Sequence, residues 1–362
     1  MPLTAPTKTW QVDANHTISE ATAMDVQAAW WLALKDALIG FASNPWAIEY
    51  SCDGSTAGTA GDGVDRWADQ TDVVFATSAG TAHSWVVLSN AITGMEILIE
   101  CLTNSVTAGK LIRLVVSPAA GFTGGSTTSS PSATDQRVIL DGPTTLNTIG
   151  LGSATSNVAL DIVQHVLHSE DGEVTLVAMC AANECTAFAY FGVPDSPVTG
   201  WTDPLVAAWY AGAQAVNPPN PVEITFPLVF KTISSLSVDG AGVPRCYGLN
   251  MPAAGAAGVE LHLVCPAANT NDDADETHGT PETFGTSHVA ATNDITSEHE
   301  APRVGLYSAT AGDRGTHGRL CDVRWAGDEL STGDTVPADG SRTHVVMGPF
   351  FLPWNGSVPV IA

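Results

Sequence analysis

The segment SWVVLSNAITGMEILIECLTNSVTAGKLIRLVVS, residues 84–117, decides the fold class of this chain. It holds three short runs rich in aliphatic residues, Ser84–Leu88, Glu96–Thr103 and Lys110–Ser117, separated by Asn, Gly and Thr. Short β-branched and aromatic runs bounded by turn-forming residues are typical of β-strands. Their close succession predicts antiparallel strands joined by hairpins and loops.

Similar short apolar runs, bounded by turn-forming residues, occur on both sides of this segment. Ser169-Glu170-Asp171-Gly172 between two such runs predicts a hairpin turn. Strands do not alternate with long helices, which argues against a parallel α/β enzyme scaffold. We therefore predict a mainly β fold of antiparallel, sandwich-like sheets. The further candidate strands are Trp46–Cys52, Val73–Thr77, Val138–Leu140, Asp161–His168, Glu173–Met179, Thr186–Phe191, Glu223–Phe230, Gly258–Val264, Val304–Tyr307, Leu320–Trp325 and His344–Leu352.

One amphipathic helix is predicted near the N-terminus. Thr17 and Glu20 have the spacing of a capping box, apolar residues then recur at helical intervals, and Gly40 supplies a stop. Trp30 and Trp31 together give more aromatic bulk than one apolar stripe needs. The helix is therefore expected between a sheet and a second surface, such as a neighbouring subunit, and both tryptophans are interface candidates.

The best internal boundary is the Pro-rich stretch at residues 217–221, which is either a linker or a sheet-to-sheet crossover. It divides a region 1–216, with the helix and sandwich-like strands, from a β-rich region 217–362. Alternatively, the two regions form one continuous domain. Within the second region, residues 267–300 form a long acidic loop, in a stretch without Lys or Arg between Arg245 and Arg303.

The charge balance restricts the possible partners. The 362 residues carry 38 Asp and Glu but only 13 Lys and Arg, a formal net charge of −25. Such a chain repels phosphate backbones, so we expect no direct contact with nucleic acid. Salt, divalent cations or basic partner surfaces should favour assembly. Only 14% of residues are charged, so the surface must be rich in Ser, Thr, Asn, Gly and Ala.

Cellular location is constrained by what the sequence lacks. Met1 to Trp10 has neither the basic start nor the apolar core of a secretory signal, and no run approaches the apolar length of a membrane span. We expect a protein without a membrane span, made in a cytoplasm. The seven scattered cysteines are expected to be reduced, buried thiols.

Two groups of residues suggest a metal site. Asn271, Asp273, Asp275 and Glu282 match four positions of an EF-hand-like register, but Glu276 stands where the motif needs Gly and no flanking helices are predicted. A solvated acidic loop is preferred to a calcium site of other geometry. A zinc site at His165 and His168 with Cys180 and Cys185 is disfavoured, because strand residues three apart point to opposite faces. No metal or other cofactor is predicted, with Ca²⁺ the one alternative.

Catalytic motifs give no better candidate. The glycine-rich run 121–128 lacks the Gly-Lys-Ser/Thr ending of a P-loop and is predicted to be a flexible loop anchored by Phe122. No Gly-x-Ser-x-Gly or HExxH motif occurs. A glycosidase carboxylate pair is identified by the distance between its two carboxyl groups and has no sequence motif of its own. The chain is therefore predicted not to be an enzyme, and no catalytic residue is assigned.

Aromatic and basic residues supply the contact candidates. Trp85, Trp325 and Trp354 are expected in the core, whereas Trp67 and Trp201, among Gly, Asp and Pro, are the better candidates for exposed contacts. The C-terminal segment 349–354 is unusually apolar for a chain end and either docks into a neighbour or closes the core. The interface candidates here are Arg314, Arg319, Arg324, Phe350, Phe351 and Trp354, the arginines being able to pair with the acidic loop.

Two parts of the chain resemble a group of tailed-bacteriophage virion proteins. The first runs from Ser84 to Leu140 and includes GFTGGSTT at residues 121–128 and PSATD at 131–135. The second comprises GLYS at 305–308, GDRGTHG at 312–318, DVRW at 322–325, GDTVPADGSR at 333–342 and LPWNG at 352–356. The matches cover somewhat less than half of the chain, and no catalytic residues come with them.

The resemblance implies a structural protein of the virion, assembled in symmetric copies in the host cytoplasm, with the tail or baseplate favoured over the collar or head. Its partners would be copies of itself and other virion proteins. One alternative is a tip protein that binds a host surface glycan or receptor, motivated by the loop tryptophans and the acidic loop. Another is a virion-associated glycan hydrolase, which rests only on the abundance of carboxylates.

Overall fold

The computed structural model describes thirteen segments of the chain. They are residues 6–20, 23–40, 45–103, 110–143, 160–180, 185–212, 245–251, 259–264, 303–308, 315–325, 335–336, 344–347 and 350–353.

These segments form one α-helix, one short 3₁₀ helix at Gln70–Asp72 and seventeen strands. The helix α1 spans Ala23–Ile39. The strands are β1 Trp10–Glu20, β2 Trp46–Asp53, β3 Ser84–Asn90, β4 Glu96–Thr103, β5 Lys110–Ser117, β6 Arg137–Pro143, β7 Leu160–Ser169, β8 Val174–Cys180, β9 Cys185–Gly192, β10 Leu205–Gly212, β11 Arg245–Leu249, β12 Val259–Val264, β13 Arg303–Ser308, β14 Gly315–Trp325, β15 Thr335–Val336, β16 His344–Met347 and β17 Phe350–Pro353.

The strands make two antiparallel sheets, which confirms the mainly β prediction. The small sheet has the order β2-β3-β4-β5-β6, so each strand pairs with its neighbour in sequence. The large sheet has the order β1-β7-β8-β9-β10-β11-β12-β13-β14-β17-β16-β15. Apart from β1, which pairs with β7, and the reversal at its far end, this sheet also follows chain order. Hairpin connections therefore dominate, as the turn signals predict.

Side chains of the small sheet alternate between two buried faces, because successive strand residues point to opposite sides. Val86 and Ile97 belong to the main core, whereas Val87 and Leu98 belong to a separate cluster on the outer face. Burial on both sides explains why these strands are aliphatic runs rather than alternating apolar and polar residues.

The main core lies between the small sheet, α1 and one face of the large sheet. Trp30 and Trp31 of α1 meet Trp209 of β10, with ring centroids 4.8 to 5.9 Å apart. Trp30 also donates a hydrogen bond of 2.7 Å from Nε1 to Gln164 Oε1 of β7. The second surface against which the helix packs is thus provided by this same chain.

A second core cluster occupies the other face of the large sheet. Val177 and Phe188 of β8 and β9 pack there with Val304, Leu320 and Leu352 from β13, β14 and β17. The C-terminal strands therefore fold back over the strands that precede them, and together they form a sandwich-like pair of layers.

Several local predictions were wrong. Thr17 and Glu20 lie in β1, where they pair with Val163 and Leu160, and α1 begins only at Ala23. Residues 73–77 form no strand, although Val73 and Phe75 are buried. Of the strands in the described segments, β1, β10, β11 and the two-residue β15 were missed.

The hairpin at Ser169 is confirmed. Gly172 donates to the carbonyl of Ser169 at 3.2 Å and has a φ of 88°, a conformation that favours glycine. The expected boundary at 216/217 lies outside the described residues, as does the candidate strand Glu223–Phe230. On either side of that gap, β10 and β11 pair directly, with Leu205 opposite Leu249, so the large sheet continues from one region into the other.

Candidate functional site

A cluster of buried polar side chains lies on the outer face of the small sheet, beneath residues 118–136. This segment, here called the docked loop, connects β5 to β6. Phe122 is buried beneath it against Tyr50 and Trp85, which confirms Phe122 as the anchor of the loop. The indole of Trp85 donates a hydrogen bond of 2.9 Å from Nε1 to the carbonyl of Ser126. Aromatic packing at Phe122 and a partly buried hydrogen bond at Ser126 thus hold the glycine-rich run in place.

Gly125 permits this close approach. Its φ is 99°, and a Cβ at this position would lie 2.8 Å from Cζ2 of Trp85 and 3.1 Å from the ring of Pro131. Any side chain would therefore combine backbone strain with a steric clash. Gly124, with a φ of 75°, faces open space, because a Cβ added there would meet no heavy atom within 4 Å.

Glu96, at the start of β4, holds the first turn of the docked loop. Its Oε2 accepts hydrogen bonds from the backbone nitrogens of Gly121 at 2.9 Å and Phe122 at 3.0 Å. The residue is 3% exposed. Hydrogen bonds to a buried carboxylate are among the stronger ones in proteins, so this contact resists loop movement.

His83, Ser130 and Glu100 hold the far end of the loop. Nε2 of His83 lies 2.9 Å from Ser130 Oγ, and Ser130 donates a hydrogen bond to Glu100 Oε1. Nδ1 of His83 lies 3.1 Å from the carbonyl oxygen of Thr81. Arg113 of β5 approaches the other oxygen of Glu100 at 3.4 Å. A chain of polar contacts therefore runs from the loop into the sheet.

The charge state of His83 follows from these neighbours. Burial by itself lowers the pKa of the imidazole, but Glu100 and the Thr81 carbonyl more than offset it, so that the pKa is raised above its usual value. A protonated His83 can donate from Nδ1 to Thr81 and from Nε2 to Ser130. This leaves the Ser130 hydroxyl free to donate to Glu100, so His83, Ser130 and Glu100 form one consistent set of hydrogen bonds.

The same residue types occur in Ser-His-acid hydrolases, but their arrangement here differs. A catalytic triad places the nucleophile on one ring nitrogen of the histidine and the acid on the other. Here Ser130 and Glu100 both lie on the Nε2 side, with His83 Nε2 3.7 Å from Glu100 Oε1, while Nδ1 faces a backbone carbonyl. The geometry suits attachment of the loop rather than activation of a nucleophile.

The outer surface of the docked loop carries hydroxyl groups and almost no charge. Thr123, Thr128 and Ser129 are exposed, and Asp135 is the one charged residue of the segment. A backbone hydrogen bond of 2.7 Å from Ser126 to Ser129 closes the tip. The loop thus presents a neutral surface whose backbone is held from below.

Sequence reasoning missed His83, Glu100 and Ser130, although one signal was present. Glu96 and Glu100 stand four positions apart in an otherwise aliphatic strand, and residues with this spacing share one face. Two carboxylates on a buried strand face require polar partners. That requirement could have indicated a buried polar site, but not which residues complete it.

The helix tryptophans proposed for a subunit interface belong to the interior of this chain. Trp30 and Trp31 are both 0% exposed. Neither can contact a neighbouring copy while α1 is in place, so the structure replaces that assignment with a role in the core.

The remaining interface candidates are spread over the C-terminal strands. Arg319 of β14 is exposed, and its backbone pairs with Asp195 through hydrogen bonds of 2.8 and 2.9 Å. Arg324 and Phe351 are buried, with Arg324 2% exposed, so neither is available as a surface contact. Phe350 is part of β17. Arg314 and Trp354 lie outside the described residues, and so do all four calcium candidates, Asn271, Asp273, Asp275 and Glu282.

The two tryptophans expected to be exposed are buried, so that prediction was wrong. Trp67 is 0% exposed and donates from Nε1 to the carbonyl of Cys52 at 2.8 Å. Trp201 is 5% exposed and donates to the carbonyl of Leu249 at 2.6 Å. Trp85 lies in the core as predicted.

Two histidines and four cysteines that the sequence singled out are buried in the structure. His165 and His168 are buried, and burial lowers their pKa values to about 4 and about 3. Across these segments, no group of three or more His, Cys, Asp and Glu residues is placed to hold a metal ion. Cys52, Cys101, Cys246 and Cys321 form no disulfide and are buried, as expected for structural thiols.

Among the residues that the structure describes, no helix combines the length and the apolar character that crossing a membrane requires. No family model, curated protein or solved structure matches the chain.

Proposed function

We propose that this chain is a structural component of a tailed-bacteriophage virion, assembled in multiple symmetric copies in the host cytoplasm, with the tail or baseplate as the favoured location. The docked loop is proposed as a contact surface toward other copies or other virion proteins. In this role the protein has no catalytic function.

The docked loop is the observation that carries the proposal. Buried Glu96 and Glu100 hold its inner side, whereas its outer side presents hydroxyl groups. A surface that is already ordered loses little conformational entropy on association. A surface with few charges also avoids the desolvation penalty of buried ions. Both properties favour contacts that are repeated many times in one particle.

Two features of the sequence add support. The docked loop lies inside the segment 84–140, which resembles tailed-phage virion proteins. The net charge of −25 opposes close approach of copies at low salt, so assembly would respond to ionic conditions. Controlled assembly of this kind suits a protein that must remain soluble until the particle forms.

Sedimentation velocity on the purified chain tests the proposal. Wild-type protein should form defined multimers as its concentration and the concentration of Mg²⁺ rise. Thr128→Arg places a charge on the exposed tip of the docked loop and should keep the protein monomeric. Thr202→Arg, at an exposed position outside that loop, is the matched control and should assemble normally. Wild-type protein that remains monomeric under every condition would contradict the proposal.

The glycan-binding alternative has lost the two tryptophans that helped to motivate it, since Trp67 and Trp201 are buried. A glycan array with the intact chain separates the two functions. Saturable binding to one glycan, together with a monomeric state, would favour the alternative.

A further inference from the structure

The N-terminal strap, residues 6–10, donates several hydrogen bonds to one buried carboxylate of β14, that of Asp322. The backbone nitrogens of Thr7 and Lys8 donate to the Asp322 carboxylate at 2.8 and 3.1 Å. The Thr7 hydroxyl adds a contact of 2.9 Å, and Nε1 of Trp10 adds another of 2.9 Å. Asp322 is 4% exposed. The strap therefore supplies four donor groups to one carboxylate that has little access to water.

A second buried carboxylate also depends on the strap. Glu173, at the β7–β8 hairpin, is 0% exposed and forms an ion pair with Lys8. Lys8 contacts Asp171 of the same hairpin as well, at 3.0 Å. Removing charged or donor partners from a buried carboxylate is costly, so the bound strap stabilises both the hairpin and β14.

The backbone of β14 adds to this dependence. Asp322 has a φ of 55°, which is uncommon for a residue other than glycine. Such a conformation persists where surrounding contacts hold it in place. The four donors from the strap supply those contacts, so β14 at this point is shaped to receive the segment.

None of these contacts requires the strap and its receptor to belong to the same molecule. Thr7 and Asp322 are 315 positions apart in sequence. Among the strands that the structure describes, the following one, β1, lies at the edge of the large sheet and pairs with β7 alone. Only two residues connect Glu20 at the end of β1 to Ala23 at the start of α1. Exchange of an identical terminal segment between copies is a low-cost route to multimers.

We propose that assembly exchanges the strap and β1 between copies, so that Asp322 and β7 of one chain receive Thr7–Trp10 and β1 of its neighbour. The partner is therefore a second copy of this chain, which contributes the donors that complete the buried Asp322 and Glu173 sites. This inference rests on the proposed function, because it requires that the protein forms multimers.

Cys321 offers a direct test. Its Sγ lies 3.9 Å from the Thr7 hydroxyl, so Thr7→Cys places a second thiol within reach of a disulfide. Oxidation joins the two sulfurs with loss of two hydrogens to an added oxidant such as oxidised glutathione. Equal amounts of ¹⁴N- and ¹⁵N-labelled Thr7→Cys protein are mixed while unfolded, refolded, assembled and oxidised. The linked peptides are then identified by mass spectrometry. Thr7→Cys combined with Cys321→Ser is the control that removes the link.

Exchange predicts that about half of the linked peptide pairs from the multimer combine one ¹⁴N and one ¹⁵N chain, because each link then joins two molecules. Links from any monomeric fraction should contain a single isotope. A multimer with only single-isotope links would overturn the exchange but leave the proposed function standing. Failure of the link to form in either fraction would also overturn it, since the receptor geometry would then be wrong. A chain that never assembles would overturn both proposals, and sedimentation distinguishes that result.

Discussion

Ser130 in the docked loop donates a hydrogen bond to Glu100 in the middle of β4, thirty positions earlier in the chain. The carboxylate is almost completely buried and is shared with His83 and Arg113. This one contact connects a glycine- and hydroxyl-rich loop to a buried, largely aliphatic strand. It explains how such a loop keeps a defined shape.

Removing the Ser130 hydroxyl should loosen the docked loop. Ser130→Ala leaves Glu100 and His83 without their bridging partner, and we expect a loss of about 1 to 3 kcal/mol in the free energy of unfolding. Urea unfolding measures the loss, and limited proteolysis should show new cleavage within residues 118–136. Thr128→Ala, at the exposed tip, is the control and should leave both unchanged. Equal protease resistance in the two variants would show that Ser130 does not hold the loop.

Gly125 should tolerate substitution less well than Gly124. Both have positive φ, so Gly→Ala introduces comparable backbone strain at each, but only at Gly125 would the added Cβ clash with Trp85. We expect Gly125→Ala to lower the melting temperature clearly more than Gly124→Ala. Calorimetry measures the melting temperatures of the two variants. Because the backbone strain is comparable at both positions, the difference between them reports the steric clash alone. Equal melting temperatures would mean that the loop does not pack on Trp85.

Stability should fall when the pH rises through the folded-state pKa of His83. Because this pKa is raised relative to the unfolded chain, the folded state binds the proton more tightly. The stabilisation is fully present below about pH 6.5 and is lost as the pH increases through the raised value. Unfolding free energies of wild type and His83→Gln between pH 6 and pH 9 should converge toward alkaline pH. Parallel curves would show that His83 is not protonated in the folded protein.

Acid should destabilise the fold through its buried histidines. Burial lowers the pKa values of His165 and His344 to about 4. The unfolded chain therefore binds protons that the folded chain excludes, and stability decreases as the pH falls below about 6.5. Each histidine should contribute about 1.4 kcal/mol per pH unit down to about pH 4. His165→Leu should reduce the slope of stability against pH over this range, and an unchanged slope would exclude His165 as a cause.

The tryptophan cluster should contribute strongly to stability. Trp209→Ala removes a side chain that is 1% exposed and packs against both Trp30 and Trp31. We expect a loss of about 3 to 5 kcal/mol in unfolding free energy. Urea titration followed by far-ultraviolet circular dichroism measures this loss. A change below about 1 kcal/mol would show that the cluster is not a packed core.

Local pattern was enough to predict most of the fold. The bounds predicted for β4 and β5 match the structure because both strands are aliphatic runs with clear turn signals at their ends. β10 was missed because its alanines and glycine have little strand preference of their own, and its pairing with β9 and β11 determines its conformation. β1 was missed because Thr17 and Glu20 match a capping box by chance.

The candidate site could not be assembled from the sequence. His83 and Ser130 are 47 positions apart, and no local spacing brings them together. Trp67 failed for a related reason. Its Gly- and Asp-rich surroundings indicate exposure, yet the carbonyl of Cys52 satisfies its indole inside the core. In both cases the position of the side chain depends on a contact with a segment that is not its neighbour in sequence.

The proposed role in a tailed-phage virion is tested most directly by an electron-microscopy map of the intact particle. If the proposal is right, the map contains symmetric copies of density that fit the small sheet and the docked loop, with residues 118–136 at a contact between protein subunits. A complete map in which no density fits this chain, from particles whose mass spectra also lack its peptides, would contradict the assignment as a structural virion protein.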